Sequence, residues 1–450
     1  MTMSNFTYPY RDTERDGLQK QLWLSENVSS RMSIVTGRHS LGKTALVLEA
    51  LRGGKVLYFQ LGGRQNAHAL EEYKTHSAEA LGQFVPRSIK SLEELFDFLC
   101  NLAWEKQFSV VLDNYEEAAG RYPDFSAHLV RKWRQEAKKT KMNLVVISEE
   151  DPPFKGMADA SFKVEPLRTD LLKELQASCA DAPLKPEDAL AFYLFTGGRP
   201  DVVRCCLARK AVTKEALLEL LVEDESPLTR FSEAAVFDLL GKNADTYLSI
   251  LQLIANGVKS QAELERRLGG IIIGGHLAKL ENEYKLLRRS RPLLSRADSR
   301  GVVRYAFADT SIALWCRLIF SRNTTELLLG PEERKAKAEA RLSGVLREGL
   351  RDYFIDKFTR EGVFTSVGAD WAASARISKK NSRLADDEPR PQEDGVDIVA
   401  LKGKKAMAAS VQLRAEDFRK EPFFRQVDAL AAGPLKGYAI DSRLFTLADV

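Results

Sequence analysis

The chain has 450 residues with 67 Lys and Arg against 63 Asp and Glu, a formal net charge of +4, so only local clustering can argue for a nucleic-acid partner. Hydrophobic residues make up 44% and charged residues 29%, which excludes a disordered or low-complexity chain and leaves room for about three domains. Five cysteines lack C-x-x-C spacing, five histidines form no H-x-x-H group, and no apolar run reaches membrane-spanning length. A disulfide scaffold, a structural zinc site and a membrane protein are therefore not expected; the sequence reads as cytoplasmic.

In chain order, Phe6 to Ser30 reads as a polar helix that turns Leu18, Leu22 and Leu24 towards a core. Met32 to Thr36 (MSIVT) is a short strand, and GRHSLGKT from Gly37 to Thr44 follows it. The pattern G-x-x-x-x-G-K-[ST] is the phosphate-binding P-loop, in which glycines let successive backbone N–H groups point at a phosphate and the next helix adds a positive N-terminus. Gly37, Arg38, His39, Ser40, Leu41, Gly42, Lys43, Thr44 and Ala45 are thus expected to hold ATP, with Lys43 on the β/γ-phosphates and Thr44 on Mg²⁺. ALVLEALRG supplies the helix after the loop and stops at Gly53-Gly54.

Lys55 to Leu61 reads as the second strand, and Asn66 to Leu102 as helical, with Ser91 and Glu94 forming a capping box. Phe108 to Asp113 (FSVVLD) is a buried strand ending in a carboxylate, the expected second Mg²⁺ ligand. Asn114 follows where many such ATPases have a water-polarising glutamate; Glu116 and Glu117 stand two and three residues further on as alternative bases. A charged helix is expected over Phe125 to Lys139, a buried strand over Met142 to Ser148, and a last strand over Phe162 to Pro166. The alternation implies a parallel sheet with right-handed crossovers.

Thr169 to Leu240 is helical throughout, broken by FTGGRPDVV, from which Arg199 could reach the nucleotide as a lid contact. Asp245 to Phe320 reads as a winged helix of three short helices and a basic hairpin. Arg288, Arg289, Arg291, Arg296 and Arg300, joined by Arg304, are the candidate contacts to double-stranded DNA. Glu332 to Lys357 is a charged helix, Lys379 to Glu393 a charged loop, and EDGVDIVALKGKKAMAASVQLR a strand pair with Asp397 on one strand and Gln412 with Arg414 on the next, across a Lys402 to Lys405 turn.

Together, GRHSLGKT, VVLDNYEEA, TGGRP, LWCRLIF and GVDIVAL resemble the archaeal-type prokaryotic P-loop ATPases of the AAA/STAND group. That resemblance implies an α/β fold: a P-loop ATPase core (1–168), a helical lid (169–240), a winged helix (241–325) and a C-terminal domain similar to restriction endonucleases (326–450). It also implies a nuclease-like centre at Asp397 with Glu348, Gln412 and Arg414. There Gln412 and Arg414 depart from the family's E-x-K, so a degenerate nuclease is expected. The expected function is an ATP-Mg²⁺-binding ATPase or switch acting on DNA or an unknown protein partner, as a homo-oligomer in the manner of the group. The trans-acting arginine would be Arg121, Arg131 or Arg134. The alternatives are a non-hydrolysing ATP-bound regulator and an ATP-regulated, metal-dependent DNA nuclease.

Overall fold

The computed structural model describes residues 11–62, 66–241, 244–290, 293–294, 303–321, 326, 328–368 and 395–450. The chain divides into two compact units, one reaching to Leu167 and including Arg199–Asp201, the other formed by Arg168–Gly198 and the chain from Val202 onward.

In chain order the first unit consists of α1 (Asp12–Asn27), β1 (Arg31–Thr36), α2 (Lys43–Ala50), β2 (Val56–Gln60), α3 (Asn66–Leu81), α4 (Leu92–Leu102), β3 (Phe108–Asp113), the short α5 (Ala118–Arg121), α6 (Phe125–Glu136), β4 (Met142–Ser148) and β5 (Ala160–Lys163). The expected helix over 66–102 is two helices, because Gly82 turns the chain at φ 57°. The five strands are parallel in the order β2-β3-β4-β1-β5. Every residue of β3 and β4 is buried, as expected of parallel strands covered on both faces.

Alternate side chains enter two different cores. Ile34, Val110, Leu112, Leu144 and Val146 face the core of α3, α4 and α6. Val35, Val111, Val145 and Ile147 face Leu18 of α1 and Leu46 and Val47 of α2. This double cover makes the sheet a rigid platform, and it leaves the loops at the carboxyl ends of β1, β3 and β4 as the place for chemistry.

The second unit begins with helices α7 (Thr169–Cys179), α8 (Pro186–Thr196), α9 (Pro200–Ala208), α10 (Lys214–Val222) and α11 (Pro227–Leu240). Next come α12 (Asp245–Ala255), α13 (Gln261–Arg267), α14 (Gly274–Asn282) and the antiparallel hairpin of β6 (Leu287–Ser290) and β7 (Arg304–Phe307), closed by α15 (Thr310–Trp315). Ile250, Leu264, Leu277, Leu287 and Trp315 share one core in this module. The long α16 (Pro331–Glu361) then leads to a four-stranded sheet of β8 (Ser366–Gly368), β9 (Ile398–Lys402), β10 (Lys405–Val411) and β11 (Ala439–Phe445) in the order β11-β10-β9-β8. Helix α17 (Lys420–Ala432) covers that sheet through Phe423, Val427 and Leu430. No helix among the described residues is long and apolar enough to cross a membrane.

Candidate functional site

The loop from Gly37 to Gly42 joins the end of β1 to the start of α2. Its path demands glycine at both ends. Gly37 has φ 155°, and a Cβ there would lie 2.3 Å from the Val164 carbonyl oxygen; Gly42, which caps α2, has φ 79°. Arg11, which nothing in the sequence singled out, is 5% exposed and donates to the carbonyls of Leu41 (3.4 Å) and Glu165 (2.6 Å). It thereby ties the loop to the chain leaving β5.

The residues expected on a phosphate and a metal lie together. Lys43 Nζ donates to the carbonyls of Gly37 (2.7 Å) and Arg38 (2.9 Å). Burial pulls its pKa below that of a free lysine, against the nearby charges of Glu149, Glu116 and Asp113. At the end of β3, Asp113 is 4% exposed. Its Oδ2 accepts from Thr44 Oγ1 and from Tyr58 Oη, each at 2.6 Å, and its Oδ1 from the Asn114 backbone N–H at 2.8 Å. Burial, and then the carboxylate of Asp113, push the Tyr58 phenol up, so it stays a donor.

Asn114 has φ 54° and ψ 47°, the left-handed conformation that asparagine tolerates far better than glutamate. The turn sends the chain into a short helix over Tyr115–Glu117 and separates the two candidate bases. Glu116 Oε2 accepts from Ser148 Oγ (3.0 Å) and the Glu149 backbone N–H (3.1 Å), at the end of β4. Glu117 lies over Gly62, where a Cβ would meet its carboxylate at 2.6 Å, and pairs with Arg121 at 3.3 Å. Since β4 lies between β3 and β1, Glu116 is on the P-loop side and Glu117 on the β2 side. His39 is half exposed, 3.7 Å from Glu149.

Arg199 is buried and pairs with Asp201 at 2.9 Å. Of the arginines expected on DNA, Arg288 is held by Asp352 at 2.5 Å and Arg289 by Glu281 at 3.2 Å; Arg291, Arg296 and Arg300 lie outside the described residues.

The nuclease-like centre differs from expectation. Arg347, not Glu348, meets Asp397, at 3.2 Å, and also donates to the Val411 carbonyl at 2.9 Å. Glu348 pairs with Lys259 (3.1 Å) and Arg317 (3.8 Å) instead. Gln412 is buried beside Ser410, and Arg414 is exposed next to Glu416. Among the described residues no three His, Cys, Asp or Glu side chains gather as a metal site. One helical residue step turns a side chain by about 100°, and that step replaces a carboxylate with a guanidinium opposite Asp397.

No protein-family model and no curated protein matches the chain. Among solved structures it is similar to the Walker-type ATPase of Pyrococcus abyssi, at 15% identity over 67% of this chain and 95% of that one, TM-score 0.44. It is also similar to Cdc6p of Pyrobaculum aerophilum, at 14% identity over 77% and 98% of the two chains, TM-score 0.36. A third is the Orc1 protein of Aeropyrum pernix, solved in complex with DNA, at 18% identity over 76% and 97%, TM-score 0.38. These likenesses are remote, and the functional reading rests on the geometry of the chain itself.

Proposed function

We propose that the first unit binds ATP with Mg²⁺ on the loop from Gly37 to Ala45 and hydrolyses it with Glu116 as the base. The observation that carries this reading is the convergence of Thr44 and Tyr58 on Asp113 beside the loop, with Glu116 anchored to Ser148 one strand away. A hydroxyl and a carboxylate are oxygen donors of the kind Mg²⁺ prefers, so Thr44 and Asp113 fit the ion. Held by Thr44 and Asp113, Mg²⁺ would supply positive charge to offset the negative charge that develops on the phosphate oxygens.

The chain's own residues do the rest. Loop N–H groups and Lys43 bind and orient the triphosphate; Glu116 accepts the proton of the attacking water as the terminal phosphoanhydride bond breaks, giving ADP and phosphate. Ser148 and the Glu149 N–H fix the Glu116 carboxylate. We further propose that nucleotide state acts on the winged-helix module of the second unit, whose partner is duplex DNA or a protein, with Arg199 as the lid contact.

Steady-state phosphate release tests the site. Glu116→Gln is expected to lower turnover at least a hundredfold with ATP binding retained, Glu117→Gln to stay within about twofold, and Lys43→Ala to lose binding. Turnover that survives Glu116→Gln would overturn the assignment of the base. ATP binding without phosphate release in the unaltered protein would instead favour a nucleotide-stabilised regulator.

A further inference from the structure

A second charged site lies wholly within the second unit. A cavity of about 280 Å³ opens between the α12–α13 connection, the β6–β7 hairpin, α15 and the middle of α16. Four cations line it: Lys259, Arg288, Arg317 and Arg351. Among the lining residues two carboxylates pair with them. Glu348 takes Lys259 at 3.1 Å and Arg317 at 3.8 Å; Asp352 takes Arg288 at 2.5 Å and Arg351 at 2.9 Å. The third carboxylate of the lining, Asp356, pairs with Arg360 at 3.0 Å, which leaves the surplus of positive charge unchanged.

Arginine cannot shed this charge by losing a proton. The side chains of Arg351 and Arg317 are only 19% and 29% exposed, so solvent screens them weakly. Arg304, on the same hairpin, is disfavoured in its charged form by burial and by the charge of Arg351. Leu194, Ile254 and Ala306 complete the wall with apolar surface. A cavity with surplus, partly buried guanidinium groups and a dry flank suits an anion that carries several oxygens, because each fork can make paired charge-assisted hydrogen bonds.

We propose that this cavity binds a compact phosphate-bearing anion with at least two negative charges, at a site separate from the nucleotide loop. The anion is either a free phosphorylated small molecule or a phosphate of a nucleic-acid strand reaching the hairpin; the recognition chemistry is the same. Occupancy would tie the hairpin to α16 through a shared ligand, in addition to the Arg288–Asp352 pair.

The experiment titrates inorganic pyrophosphate by calorimetry, at fixed ionic strength, into the full chain carrying Lys43→Ala to suppress the P-loop. A parallel arm uses a short DNA duplex. Saturable pyrophosphate binding is expected, weakened about tenfold or more by Arg317→Gln and, separately, by Lys259→Gln, since each removes one charge-assisted contact. Two variants at different lining positions guard against a single misfolded one, and thermal unfolding reports whether each folds. If the duplex, and not pyrophosphate, shows this dependence, the source of the phosphate is nucleic acid and the site stands. If neither ligand binds saturably, or binding ignores both substitutions, the proposal is overturned.

Discussion

Asp113 is buried, and three donors satisfy its two oxygens, two of them side-chain hydroxyls aimed at the same oxygen. Tyr58→Phe removes one hydroxyl, keeps the ring and leaves Asp113 with one fewer donor. It is expected to lower stability by about 1–2 kcal/mol in chemical denaturation and to weaken Mg²⁺-dependent ATP binding several-fold. Asn114 makes a separate prediction. Glutamate placed there, to imitate the common ATPase pattern, meets a left-handed backbone and is expected to cost about 1 kcal/mol and to lower turnover; Asn114→Gly should keep both. The loop GRHSLGKT was legible from sequence because its whole pattern is local. Tyr58 was not, because its partner on the neighbouring strand is 55 residues away in sequence, and the choice between Glu116 and Glu117 was not, because it depends on the φ of one asparagine.

Elements explain why one site held its expected residues and another did not. Strand–loop–helix order placed Lys43, Thr44 and Asp113 at one sheet edge, since each parallel strand ends there. The neighbourhood of Asp397 depended instead on the rotation of α16, a helix with charges on several faces, and sequence spacing could not fix which charge meets the sheet. That rotation also has a pH consequence. Burial alone would raise Glu348 and Asp352, but Lys259, Arg351 and Arg317 hold Glu348 below the ordinary carboxylate range, and Arg351 with Arg288 does the same for Asp352. Groups depressed in the folded state contribute stability that is present above their unfolded values, about 4, and is lost as pH falls through the folded ones. Thermal unfolding between roughly pH 3 and 7 should therefore show a steeper acid loss in the unaltered chain than in Glu348→Gln, which starts less stable at neutral pH. Parallel curves would count against a stabilising role for the Glu348 cluster.

At the scale of the molecule, sequence reading gave four segments, while compactness divides the chain into two units, because lid helices, hairpin module, α16 and the last sheet share continuous packing within the second. Near 240 and 325 the residue pattern changes, but whether packing stops at such a change is decided by side chains far apart in sequence. If ATP binds the folded first unit alone, saturating ATP with Mg²⁺ should raise its unfolding free energy by about 2.7 kcal/mol at a hundred times the Kd. Differential scanning calorimetry should show that gain in the unaltered chain and none in Lys43→Ala.

Strand order also sets a timetable for synthesis. Among the described residues β1 pairs only with β4 and β5, so that Met32 waits for Leu144 and Ile34 for Ser161. While the chain emerges from a ribosome, MSIVT has no partner strand until most of the first unit has been made. Pairing so remote in sequence is slow to form and leaves an apolar segment open to other chains meanwhile. The anchored end of the phosphate loop is therefore translated well before the strands that secure it, and shortened chains that stop before β4 would be expected to need a chaperone rather than a nucleotide.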